Sequence, residues 1–226
     1  MTRPLISVII PVHNAELFIA EALGSVLAQQ HRAIEVIVVD DGSTDTSMEI
    51  VRRVADGRCR LLHQSQSGAA AARNMGIAES TGSLLAFLDA DDVWPAGKLD
   101  LQVRTLAADP SLDMAFGHYV TFTEGSSTAT EDIPQPGYSL GTLLVRRHRF
   151  ASVGPFSTQW RVGEFIDWYA RADDRGLRHV MLPDVLLRRR VHGTNLTGRK
   201  GDTRSDYARV VRAIAARRVG LRTAHP

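Results

Sequence analysis

Apolar and polar positions follow two alternating rhythms through the first half of the chain. "LISVIIPVHN" (residues 5–14) is an unbroken, β-branched run that stops at Pro11, the pattern of a buried strand followed by a loop. "AELFIAEALGSVLAQQ" spaces Leu17, Ile19, Ala20, Leu23 and Leu27 along one face of a helix. "AIEVIVVDDGSTD" reads as a second strand, after which Ser43, Thr44 and Asp45 are good N-cap types for a helix over "SMEIVRRVAD". "CRLLHQS" is a short strand, "GAAAARNMGIAES" an alanine-favoured helix entered at Gly68, and "SLLAFLDADD" the next strand. Strands and helices in this alternation predict an α/β fold with a mostly parallel central sheet and helices on both faces.

The rhythm loosens further on. "LDMAFGHYVTFTEG" predicts one or two strands, "SSTATEDIPQPGY" a polar loop, and "SLGTLLVRRHRFASVGPF" a strand and a short helix. "EFIDWYARADDRG" predicts a helix and "HVMLPDVLLRRRVHG" a strand. In "SDYARVVRAIAARRVG", Tyr207, Val210, Val211 and Ile214 share one helical face among arginines. No internal repeat or second core is visible.

Composition adds boundaries. The 226 residues, 44% hydrophobic and 23% charged, suit one soluble domain with an appendage, and no apolar run is long enough to span a bilayer. The lone Cys59 allows no intrachain disulfide, and the N-terminal apolar stretch is broken by Pro11 and lacks a small-residue cleavage site. These features point to the cytoplasm. The net charge of +2 is unevenly spread: from Arg188 onward eleven Lys or Arg face Asp202 and Asp206, a local +9 that leaves −7 for residues 1–187. Such an end suits an anionic partner, or the protein's own acidic half. Docking of the last helix through its apolar stripe is the expected arrangement; a peripheral contact with a membrane surface is the functional alternative.

The chemistry gathers where predicted strands end: Pro11 to Glu16, Asp40–Asp41, and Asp89, Asp91 and Asp92. In parallel α/β sheets the carboxyl ends of strands are where ligands bind. Three carboxylates within four residues repel one another unless a cation neutralises them, and Mg²⁺ and Mn²⁺ favour oxygen ligands shared with substrate phosphates. The first strand is followed by "PVHNAE" rather than a G-x-G-x-x-G loop, so a nicotinamide cofactor is unsupported, and no Walker P-loop is present.

"SVIIPVHNAE", "VIVVDDGSTD", "GAAAARNMGI" and "LLAFLDADDVWPAGKL", in this order and spacing, resemble the family 2 glycosyltransferases of GT-A fold, and "RVHGTNLT" resembles their last motif. The resemblance covers about residues 5 to 197. It implies a Rossmann-like nucleotide-diphospho-sugar transferase domain over residues 1–202, with a nucleotide-sugar-binding half (1–113) and an acceptor half (114–202), followed by a basic helix and tail (203–226). It further implies an inverting hexosyl transfer from a nucleotide-diphosphate sugar, with UDP the expected nucleotide. Pro11, His13 and Glu16 would line the nucleotide pocket, with His13 standing where the family usually has Tyr. Asp41 would bond the base, with Arg73 near the same ring, and Asp89 would sit by the ribose. Asp91 would hold Mg²⁺ or Mn²⁺. Arg190 and His192 would bind the diphosphate, with His192 also a candidate metal ligand. Trp94 and Lys98 read as packing residues.

An inverting transfer also needs a base for the acceptor. The family often has a Glu-Asp pair here, whereas this chain reads "VGEFIDWYAR", with Phe165 in the place of the usual Asp. Glu164 is the first candidate and Asp167, three residues on, the second; either could instead pair with Arg171. A thiol acceptor would need less help from a base. Two rivals are a nucleotidyltransferase, whose Gly-rich N-terminal loop is missing, and a non-catalytic nucleotide-sugar-binding scaffold. Nucleic acid is not an expected partner. Acceptor choice would fall to residues 114–165.

Overall fold

The computed structural model describes residues 3–123, 133–193 and 202–223. One eight-stranded sheet runs in the order β3-β2-β1-β4-β7-β5-β6, with β8 paired to β5. Strands β1 (Ile6–Val12), β2 (Ile34–Asp41), β3 (Cys59–Gln64) and β4 (Leu84–Phe87) are mutually parallel. β5 (Met114–Phe122) is parallel to β8 (His179–Arg190) and antiparallel to β6 (Gln135–Pro136) and β7 (Leu144–Arg146). β7 also pairs antiparallel with β4.

Side-chain alternation splits β1 between two cores. Ile6, Val8 and Ile10 pack with α1 (Ile19–Leu27), α2 (Ser47–Val54) and α4 (Lys98–Ala108). Ile9 joins Leu85, Phe87 and Phe116 against α3 (Ala69–Glu79), α5 (Arg147–Val153) and α6 (Glu164–Asp174). With both faces covered, an all-apolar β1 is what burial demands. α3 lies close because Gly76 has no side chain: a Cβ there would stand 2.7 Å from Ile9 Cγ2.

Three expectations change. β1 continues through Pro11 to Val12, because Pro11 pairs only with β2; pairing with β4 ends at Ile9–Phe87, so the missing N–H breaks no ladder bond on that side. The buried face of α1 is Ile19, Ala22, Leu23 and Val26, whereas Leu17 precedes the helix and is exposed, as is Ala20. Helix α4 has no counterpart in the sequence reading. Its buried face alternates polar and apolar residues (Lys98, Leu99, Gln102, Leu106), which conceals the helical stripe.

The last helix, α7 (Asp202–Thr223), packs on α6. Among its described side chains Val210 is the fully buried apolar one, while Val211 is 57% exposed, so the docked stripe is narrower than its spacing suggests. Among the described residues no helix is long and apolar enough to cross a membrane.

Candidate active site

The strand order reverses between the parallel neighbours β1 and β4, and at such a switch point the carboxyl ends of the strands open a crevice. The loops after β1 and β2 are stitched together at its edge. Asn14, in the left-handed region at φ +49°, accepts the Thr44 N–H at 2.8 Å. Glu16 accepts the Thr46 N–H at 3.1 Å and its hydroxyl at 2.7 Å. His13 Nδ1 lies 2.9 Å from the Asp41 carbonyl and its Nε2 3.1 Å from the Gln66 amide nitrogen. A carbonyl only accepts and the amide NH₂ only donates, so this pair of contacts selects the Nδ1–H tautomer. Asp41 is buried; its carboxylate accepts Gln64 Nε2 and the Ser67 N–H, both at 2.7 Å, and the Gly68 N–H at 2.8 Å. It thereby anchors the entry of α3. Pro11 lies buried at the rim behind these loops.

After β4 the chain turns through Asp89, Asp91 and Asp92, each of which offers an oxygen within 4.8 Å of the others. Burial, then the negative neighbours, push Asp91 above the ordinary carboxylate range and Asp92 well above it. In Asp91 the nearby His192 works the other way. A divalent cation would offset the repulsion within this cluster. β8 reaches the cluster because Val93 and Arg188 exchange backbone hydrogen bonds at 3.0 and 2.8 Å. That bridge brings Arg190 and His192 to the acidic turn. The Arg190 N–H donates to Asp92 at 2.9 Å and its Nε to the Asp91 carbonyl at 3.0 Å. Its guanidinium, nearly fully buried, also pairs with Glu21 and lies over Phe122 and Phe18. His192 Nε2 stands 3.1 Å from Asp91 Oδ2, with its ring 4.4 Å from that of Phe18. Oxygen ligands with one imidazole form a donor set that fits Mg²⁺ or Mn²⁺.

Arg73 joins this side of the crevice to the other. It is buried on α3, donating to Asp89 at 2.5 Å and to Glu164 Oε1. Burial opposes its charge, but the two carboxylates outweigh burial and hold the guanidinium protonated. Gly163, at φ +86°, turns the chain into α6 and sets Glu164 at the helix start. No hydrogen bond from the described residues engages Glu164 Oε2. Asp167 has a different setting: Arg171 holds one oxygen at 2.9 Å and Arg217 of α7 holds the other at 2.9 Å. Both candidate bases are thus ion-paired, Asp167 to the anticipated Arg171 and Glu164 to Arg73.

Arg73, Asp89, Asp92 and Glu164 line a cleft of about 390 Å³ with Tyr119, Tyr138, Arg161, Arg189 and Tyr207. The sequence reading assigned no site role to these last five, which come from separate segments and match no short motif. Trp94 and Lys98 are packing residues, as expected: the Trp94 indole donates to the Gly141 carbonyl at 2.8 Å, and Lys98 Nζ lies 4.2 Å from the Trp94 ring. Burial pushes Lys98 well below the usual lysine range.

Solved structures share this architecture. The chain superposes on TarS of S. aureus in complex with UDP-GlcNAc with a TM-score of 0.79, at 20% identity, over 94% of this chain and 66% of that one. A mannosyltransferase from Pyrobaculum calidifontis in complex with GDP-Man and Mn²⁺ gives 0.71 at 24% identity, over 86% and 59%. These likenesses define a GT-A glycosyltransferase fold. The model of glycosyl transferase family 2 matches residues 7–166, and the chain belongs to that family. An uncharacterized glycosyltransferase of Haemophilus influenzae is 39% identical over 53% of this chain and 48% of its own length. The UDP-Glc:α-D-GlcNAc-diphosphoundecaprenol β-1,3-glucosyltransferase of Escherichia coli is 35% identical over 58% and 52%. The chain spans about half the length of these two curated relatives.

Proposed function

We propose that this glycosyltransferase moves a sugar from a UDP-sugar to an acceptor with inversion at the anomeric carbon, using Mg²⁺ or Mn²⁺ at Asp91 and His192 and Glu164 as general base. One observation carries the reading. The buried guanidinium of Arg73 holds Asp89, on the donor side, and Glu164, across the cleft, at the same time. A base must face the anomeric carbon from the side opposite the leaving diphosphate, and this bridge fixes a carboxylate beside the donor subsite.

Residues 1–113 supply the donor half, with Pro11, His13, Glu16 and Asp41 framing the nucleotide and Asp89 the ribose. Residues 114–202 supply the acceptor half. Asp91 and His192 would hold the cation, which when bound supplies positive charge to the departing diphosphate. Arg190, anchored by Glu21, adds fixed positive charge to the same corner. Glu164 Oε2 takes the acceptor proton as the acceptor–carbon bond forms and the carbon–oxygen bond to the diphosphate breaks, with the electron pair leaving on the nucleotide. The donors named for the Escherichia coli relative and the TarS complex support UDP, while GDP-mannose is the contrasting choice.

The test is hydrolysis of UDP-glucose, UDP-N-acetylglucosamine and GDP-mannose, with Mn²⁺ and with excess chelator. Metal-dependent release of UDP is expected. Preference for GDP-mannose would reassign the nucleotide, and unchanged turnover in chelator would remove the cation.

A further inference from the structure

The basic terminal helix touches the cleft itself. Tyr207 of α7 lines it together with Glu164, Arg73 and Asp89. Tyr207 and Val210 press on Gly163, the residue that turns the chain into Glu164: a Cβ at Gly163 would lie 3.4 Å from the Tyr207 ring and 3.2 Å from Val210. Burial, followed by the negative charge of Glu164, raises the Tyr207 hydroxyl above its ordinary range, which agrees with their proximity.

Farther along, α7 is clasped to the helix that begins with Glu164. Arg217 reaches Asp167 at 2.9 Å and Asp174 at 3.4 Å. Arg218 reaches Asp174 at 2.6 Å and Asp173 at 2.8 Å. Three carboxylates of α6 are therefore spent on holding α7 in place. Simple apolar docking would not require this, since Val210 already supplies a buried contact.

The rest of the wall shows what such a helix would help to hold. Tyr119 of β5 and Tyr138 bring two further phenols to the cleft from other segments. Tyr138 is half exposed and stacks on Tyr169 with ring centroids 4.7 Å apart. Aromatic walls with a few polar groups suit a ligand that has apolar C–H faces and a hydroxyl rim.

Resting on the transferase reading above, we propose that α7 is part of the active site: Tyr207 orients a pyranose acceptor toward Glu164, and the Arg217–Arg218 clasp is the positioning device that holds it there. Tyr207 is then a specificity-determining residue contributed from outside the segment that the family model matches.

The full chain is assayed with the UDP-sugar it hydrolyses fastest and a panel of p-nitrophenyl hexopyranosides as acceptors, recording the ratio of transfer to hydrolysis. Tyr207→Ala is expected to lower that ratio by about 10-fold, the size of one lost aromatic contact, and Tyr207→Phe by less. Arg217→Gln/Arg218→Gln should lower it too, and Arg217→Lys/Arg218→Lys should recover part of it at low salt and lose it again at high salt. A purely structural role for α7 would lower the melting temperature and leave the ratio in place. A ratio unmoved in both Tyr207→Ala and the glutamine pair overturns the proposal. Hydrolysis by the wild type without transfer to any glycoside overturns the sugar acceptor. Absence of hydrolysis with every nucleotide sugar overturns the transferase reading itself, and this inference with it.

Discussion

The two sides of the crevice are built differently. On the proposed donor side, the loops after β1 and β2 bond to each other and to the entry of α3, with Glu16 and Asp41 accepting backbone N–H groups. The acidic turn after β4 is met by Arg73, Arg190 and His192. On the proposed acceptor side, Tyr119, Tyr138, Glu164, Arg189 and Tyr207 meet from five places between β5 and α7. The proposed donor side is built mainly from strand ends and the turns that follow them, completed by Arg190 at the end of β8 and His192 just beyond it. The acceptor side is a tertiary product, held by ion pairs between helices. A site of the first kind tolerates variation elsewhere in the chain; a site of the second kind depends on the helices staying docked.

The contrast predicts different failures. Asp91→Asn on the donor side should have the largest effect, a loss of turnover on the order of 1,000-fold, because charge on the leaving diphosphate is no longer offset. The melting temperature should hold or rise, since an acidic cluster with raised affinity for protons is relieved of one charge. In the wild type, Mn²⁺ should raise the melting temperature by binding the folded state alone, and the variant should lose that rise. Equal turnover by variant and wild type would remove the cluster from the mechanism.

Glu164→Gln comes next. It keeps a hydrogen bond to Arg73 and removes the proton acceptor, so transfer should fall on the order of 100-fold while nucleotide binding measured by calorimetry changes little. If Asp167→Asn produced that kinetic defect and Glu164→Gln did not, the base would be Asp167.

The expected effect of Asp167→Asn is on folding. It leaves Arg171 and Arg217 short of a buried partner, which costs about 3 kcal/mol and lowers the melting temperature by about 6–12 °C. The loss should be visible in thermal scans without any substrate. A variant that melts with the wild type would erase the difference in setting between the two carboxylates of α6.

The smallest effect belongs to the end of the sheet away from the crevice. Glu35 accepts hydrogen bonds from the Ser7 and Thr81 hydroxyls and from the Thr81 and Gly82 N–H groups. Burial works against its charge, yet these bonds together keep it below the ordinary glutamate range. A lowered acid stabilises the fold fully above its unfolded value, and the contribution is lost as pH falls through the folded value. Glu35→Gln should therefore cost about 1–2 kcal/mol at neutral pH, with the gap to the wild type closing below about pH 4. A gap that persists at acid pH would show that shape rather than charge is at stake.

Much of the fold was legible because burial on both faces writes itself into continuous β-branched runs, and strands that stop in carboxylates mark the rim. Helix α4 was not legible, because Lys98 and Gln102 hide its stripe; nor was the passage of β1 through Pro11, which depends on β4 ending early.

By itself, the sequence determined the α/β order of the first half of the chain, the acidic turn, and the short list of carboxylates from which the proposed base could come. Those are local properties, set by residue type and spacing. Tertiary structure alone decided that Glu164 meets Arg73, which also holds Asp89, while Asp167, one turn along the same helix, meets Arg217. The physical reason is that both residues carry the same functional group on neighbouring turns of one helix, and what separates their settings is which cations the folded chain carries to each. Arg73 and Arg217 lie 91 and 50 residues from their partners, beyond the reach of any spacing rule.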